Sequence, residues 1–160
     1  MFHDAGNEDR CLRTKRFNQI FDKTCEANFI KEDRMKAKKG VVDFLNKILT
    51  NELTAINQYF LHGEMCGNWG YEQLHNEIRK HSIDEMKHAE ELIEHLLYLE
   101  GVPNLQRLGP LKIGETVPEQ FKSDLALERE AVVLLTEAIS HCASVGDYTT
   151  RAKLESIIKS

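Results

Sequence analysis

Three segments of this chain repeat apolar residues at alternating steps of four and three, and each repeat carries a glutamate near its middle. The first stripe is Leu45, Leu49, Glu52, Ile56, Tyr59, Gly63. The second is Leu74, Ile78, His81, Glu85, His88, Leu92, His95, Leu99, and the third is Phe121, Leu125, Glu128, Val132, Leu135, Ile139, Cys142. A 4-3 alternation keeps side chains on one helical face and suits long helices crossing at a shallow angle in a left-handed bundle. The chain is therefore expected to be all-α. Three prolines and a hydrophobic content of 41% agree with helices rather than with a β-sandwich.

The breaks between stripes set the order of the bundle. Cys66-Gly67-Asn68-Trp69-Gly70 ends the first helix in a short turn, and Gly101 followed by Pro103 stops the second. Residues 101–120 hold three glycines and all three prolines, so they are expected to form one long crossover from end to end of the bundle. Leu105, Leu108, Leu111 and Ile113 are expected to pin that crossover to the helices. The third helix should run from about Glu119 to Val145. After Gly146-Asp147 a fourth helix begins, with Arg151, Leu154 and Ile158 in phase; its next core position would be 161, and the sequence stops at Ser160.

A carboxylate inside an apolar stripe costs several kcal/mol unless it is neutralised, paired or bound to a cation. One such glutamate is commonly a paired residue. Three at mid-length, with His88 three residues after Glu85 on the same face, point jointly to a metal site. Carboxylates with an imidazole suit iron or manganese better than the thiolate shells of structural zinc. Glu72-x-x-His75 has the same spacing but falls on a helix end, where a solvated role is expected. His81 and His95 read as satisfied core or bundle-end histidines, with outer-shell roles the minority alternative. Tyr59 reads as a buried hydrogen-bonding tyrosine. Met86 lies about 100° off the stripe. It is either an apolar contact residue or a thioether ligand for haem.

Other classes are excluded more simply. A formal net charge of -5 favours no nucleic acid, and no run of about 18 apolar residues could span a membrane. Cys11, Cys25, Cys66 and Cys142 are far apart and read as reduced thiols, Cys142 as a core residue. Residues 1–34 mix seven acidic and seven basic side chains with scattered apolar ones, unlike a signal or organellar presequence. A cytoplasmic protein is expected. The segment is read as a poorly ordered extension, with a possible short helix from Leu12 to Cys25, and 35–160 as the folded domain. Met35 could be the true initiator.

The stretches NKILTNELTAINQYFLH, SIDEMKHAEELIEHLLYLEG, PNLQ…IGE and SDLALE, spread over Met35 to Ser160, resemble bacterioferritin. That resemblance implies a ferritin-like four-helix bundle with a long crossover between helices two and three, assembling as a dimer around haem b and as a cage of twenty-four. It implies oxidation of Fe(II) by O2 or peroxide at a di-iron centre, with Fe(III) mineral stored inside. Glu52 and His88 resemble the terminal ligands of one iron, Glu85 a bridging carboxylate, and Glu128 the terminal ligand of the second iron. Met86 matches the haem methionine. Asp84 matches an acidic residue of an inner-surface iron site, whose usual histidine partner position is Lys80 here. The family's second bridging glutamate and second histidine would lie past Ser160, so the fourth helix is read as largely missing and the sequence as truncated. The rival expectation is a non-catalytic haem-binding or structural subunit lacking a complete ferroxidase centre.

Overall fold

The computed structural model describes residues 36–159. The readings of residues 1–34 lie outside the described residues. Four helices follow in order: α1 (Val41–Asn68), α2 (Glu72–Tyr98), α3 (Val117–Ser144) and α4 (Tyr148–Ile157). The first three have 28, 27 and 28 residues, and α4 has ten. At 1.5 Å per residue, α4 is about one-third as long as its neighbours. The fold is a ferritin-like four-helix bundle in which α1 packs along both α2 and α3, and α4 packs on α3.

Helix ends follow local chemistry. Gly70 and Gly146 take positive φ after α1 and α3, as helix C-termini favour. After α2 the left-handed residue is Glu100 (φ 58), not the glycine expected from sequence. Gly101 instead donates its N–H to Leu96 O at 2.8 Å and lies against Val42, where a side chain would crowd. The carboxylate of Asp147 caps α4 by accepting the Thr150 N–H at 3.0 Å.

The apolar core divides in two along the bundle. At the end with all four helices, Leu45, Leu49, Leu92, Leu96, Cys142 and Leu154 are fully buried together. Toward the other end Ala55, Tyr59, Cys66, Ile78 and Leu127 form a smaller second cluster among the described residues, with Leu74 and Val117 packed against it. The third stripe shows the difference directly: Leu135 and Cys142 are buried, whereas Phe121, Leu125 and Val132 are about half exposed. They face an open groove of about 840 Å3 between α2 and α3, which Ile157 and Ile158 of α4 border.

The crossover is held differently from the expectation. Leu105, Leu108, Leu111 and Ile113 are all more than 40% exposed. A polar row on α1, stepping by four, takes up its backbone instead. Asn46 accepts the Asn104 N–H at 2.7 Å and donates to Val102 O at 3.1 Å. Thr54 accepts from Gly109 N–H at 2.8 Å, Gln58 from Lys112 N–H at 2.9 Å, and His62 Nε2 from Gly114 N–H at 3.2 Å. An irregular segment must satisfy its peptide groups as it packs, and here α1 side chains replace water for them. Gly114 has no room for a side chain, because a Cβ would collide with the backbone of Glu119 and Gln120.

Candidate metal centre

Antiparallel packing of α1 on α2 sets the register of the site. His75 Nδ1 meets Gly63 O at 2.9 Å, and the Ser82 hydroxyl donates to Ile56 O at 2.9 Å. One turn further on, the same register brings Glu52 opposite Glu85 and His88. One ligand atom from each of these three residues lies within 4.8 Å of the other two. His88 Nδ1 stands 2.8 Å from Glu85 Oε2 and 3.8 Å from Glu52 Oε2. Glu52 is almost wholly buried, with Glu85 and His88 partly so.

The electrostatics are those of a cation site holding protons. Burial, reinforced by the neighbouring Glu85, pushes the Glu52 carboxyl up to about 7 despite the opposing His88. The flanking carboxylates of Glu52 and Glu85 push His88 up to about 10 against the opposing effect of burial. Burial works to raise Glu85, but hydrogen bonds from His88 and Glu52 and the charges of His88 and His81 outweigh it and hold Glu85 below the usual carboxylate range. Near neutral pH the positive charge of His88 thus balances the two carboxylates beside it.

Glu128 is not part of this cluster. It lies across the groove on α3, exposed, and accepts the hydroxyl proton of the buried Tyr59. Burial, with the charges of Glu128, Glu85 and Asp124, raises the Tyr59 phenol above its ordinary value, so it stays a donor. Three of the four expected ligand residues are therefore brought together, and the fourth lines the same groove outside their cluster.

Met86 projects from the outer side of α2, 54% exposed, with Ile83 one turn before it at 45%. Asp84 pairs with Lys87 at 2.7 Å, and that hydrogen bond holds its carboxyl below the usual range. His95 is buried and bonded to Thr150 at 2.8 Å, a satisfied core histidine, and burial lowers its pKa. His75 at the helix end is also satisfied, by the Gly63 carbonyl.

Sequence reasoning missed Asp124, one turn before Glu128 on the groove. It accepts from Gln58 Nε2 at 2.8 Å and from His62 Nδ1 at 2.9 Å. Since His62 Nε2 accepts from Gly114 N–H, the proton of this neutral ring must sit on Nδ1. Crossover, α1 and α3 are thereby joined through one buried imidazole. The signal was available as a four-step polar row on α1.

Bundle and cluster together define a helical protein with a carboxylate-and-imidazole site set between its helices. The model of the ferritin-like domain matches residues 42–160. Bacterioferritins are similar over 124 residues: 47% identity for that of Mycobacterium bovis and 46% for that of Mycobacterium leprae, each alignment covering 78% of either chain. Identity to the Rhodobacter capsulatus bacterioferritin is 45%, over 78% of this chain and 77% of the relative. The chain belongs to the bacterioferritin family.

Proposed function

We propose that the groove-wall cluster binds Fe(II) and that the chain is an iron-oxidising, iron-storing subunit. The observation that carries this reading is the convergence of Glu52, Glu85 and His88 on one point beside an open groove. Two carboxylates and an imidazole make a donor set for a first-row metal, and hard carboxylate oxygens favour the oxidised product. In this reading Glu52 and His88 are terminal ligands of one iron and Glu85 bridges to a second, for which Glu128 is the terminal carboxylate. Iron is the substrate, each Fe(II) giving one electron to O2 or peroxide before Fe(III) is stored in a cage of copies. His88 and Glu52 must release their protons as the metal enters. Tyr59 keeps Glu128 oriented toward the groove from the α1 side.

Haem b belongs to the same reading. A half-exposed thioether beside exposed Ile83 fits a ligand that would hold haem iron, and a second copy would supply the opposite apolar wall. Met86 would hold the haem, which supplies a one-electron centre when bound. Reconstitution should give a low-spin spectrum that Met86→Leu abolishes; an unchanged spectrum removes Met86 from this role. Among the described residues no helix is long and apolar enough to cross a membrane, and Cys66 and Cys142 are free thiols. Both accord with the cytoplasmic placement in this proposal.

The position of Glu128 outside the cluster favours a second reading, a structural subunit without a working ferroxidase centre. Oxygen uptake on adding Fe(II) separates the two. Iron oxidation at least tenfold above that of Glu52→Ala supports the enzyme, and equal rates support the structural subunit.

A further inference from the structure

We propose that His95 is an acid-sensitive latch: a second proton on its buried ring detaches α4 from α2 and opens the α4 end of the groove. α4 packs chiefly on α3. It is tied to α2 by polar contacts, with His95 Nε2 2.8 Å from Thr150 Oγ1 and Lys153 Nζ 3.3 Å from Glu91 Oε2. The first contact lies inside the bundle, since His95 is 6% exposed and Thr150 0%. Thr150 has one hydroxyl proton, which it donates to Asp147 Oδ2 at 2.7 Å. Toward His95 it can therefore only accept, so the neutral ring carries its proton on Nε2. Nδ1 is the position left for a second proton.

A second proton puts a full charge inside the core. Burial first, then the charge of Lys153 on α4, hold the imidazole below its ordinary range, against the attraction of Asp147 in the turn before α4. On α2 itself the ring stacks with Tyr98 at 5.9 Å between centroids, and Glu91, one turn earlier, is engaged by Lys153. Around the neighbouring Leu92 and Leu96, the core receives Leu45 and Leu49 from α1 and the Cys142 thiol from α3. Burial and the charge of Asp147 keep that thiol protonated. With α4 lifted away the ring is hydrated and Lys153 leaves with its helix, so the detached state binds the proton more readily. Docking is therefore fully favoured above the ordinary imidazole range, about 6.5, and weakens as pH falls below it toward the depressed value of the docked ring. Undocking takes Leu154 and Ile157 out of the core shared with Cys142. It also takes Ile157 and Ile158 from the border of the groove that Glu52, Glu85 and His88 line. Acid thus opens one end of the bundle locally and leaves the rest folded.

The test is thiol labelling of the full chain by dithiodipyridine from about pH 7.5 to about pH 5, each cysteine being resolved by peptide mass spectrometry. Cys142 and Cys66 are both buried free thiols, and Cys66 belongs to the cluster at the other end of the bundle. Relative to free glutathione under the same conditions, Cys142 labelling should rise at least fivefold across that range, with Cys66 labelled at least tenfold more slowly throughout. His95→Gln keeps an N–H for Thr150 but takes no proton, and its Cys142 labelling should change less than twofold. A flat Cys142 rate in the unsubstituted chain overturns the proposal, as does the same rise in His95→Gln. Equal labelling of Cys66 and Cys142 also overturns it, because the whole bundle is then unfolding. Whatever the fate of that variant, NMR titration of the His95 Cε1 proton decides independently. It should titrate below the exposed histidines, and titration together with them would show that docking of α4 is not coupled to this ring.

Discussion

Replacing His62 by alanine should be among the most damaging single changes in the bundle. The ring is 0% exposed and joins three pieces of structure: Nδ1–H donates to Asp124 at 2.9 Å, and Nε2 accepts from Gly114 N–H at 3.2 Å. Loss of a hydrogen bond to a charged group costs about 1.5–3 kcal/mol, and orphaning the buried Gly114 N–H adds about 1–3 kcal/mol. The total, about 4 kcal/mol, is a large share of the roughly 5–15 kcal/mol that stabilises a domain. With a urea m-value of about 1.5 kcal/mol/M, the midpoint should fall by about 2.5 M. The crossover leucines give the contrast, since Leu108 is half exposed and Leu108→Ser should change stability by less than about 0.5 kcal/mol. Urea melts of both variants, read by circular dichroism, test this directly. A His62→Ala loss under 1 kcal/mol beside a Leu108→Ser loss above 2 kcal/mol would show that side chains, not backbone groups, hold the crossover.

Metal affinity should depend steeply on pH. With His88 raised to about 10, a cation entering below that pH displaces its proton, and below about 7 it must also displace the one on Glu52. Affinity for Mn(II) should therefore rise about tenfold per pH unit above 7 and more steeply below it, and a flat titration from pH 6 to 8 would be inconsistent. Glu100→Gly should stabilise the chain by about 0.5–1 kcal/mol, because Glu100 holds a left-handed conformation that glycine adopts without strain; a lower thermal midpoint would refute this. We also propose that residues 35–160 form the folded domain. A chain beginning at Met35 should match the full one in helical content and Co(II) binding, and loss of folding would assign residues 1–34 a structural role.

Periodicity made the bundle legible, since each 4-3 stripe marked the face a helix turns inward, and Gly and Pro marked where each helix ends. It also placed Glu52, Glu85 and His88 together, because buried charge in an apolar row needs a common cause. Periodicity names a face but not what covers it. Phe121, Leu125 and Val132 carry the core pattern, yet they border a groove because α4 reaches only one end of the bundle. Glu128, on the same face of α3, likewise lies outside the cluster of Glu52, Glu85 and His88. The crossover was misread for a different reason. Leucines in a loop suggest apolar anchors, but the peptide groups have the stronger requirement. Asn46, Thr54, Gln58 and His62 meet it from a polar row that hydrophobic pattern reading passes over.

The central claim is that Glu52, Glu85 and His88 form a metal site. It is tested most directly by anomalous diffraction at the iron edge from crystals of the full chain soaked anaerobically in Fe(II). The account predicts a strong peak within bonding distance of both carboxylates and the His88 imidazole, with His88 no longer bonded to Glu85. That peak should vanish in Glu52→Ala. Iron found only at exposed surface carboxylates, with the His88–Glu85 contact still at 2.8 Å, would contradict it.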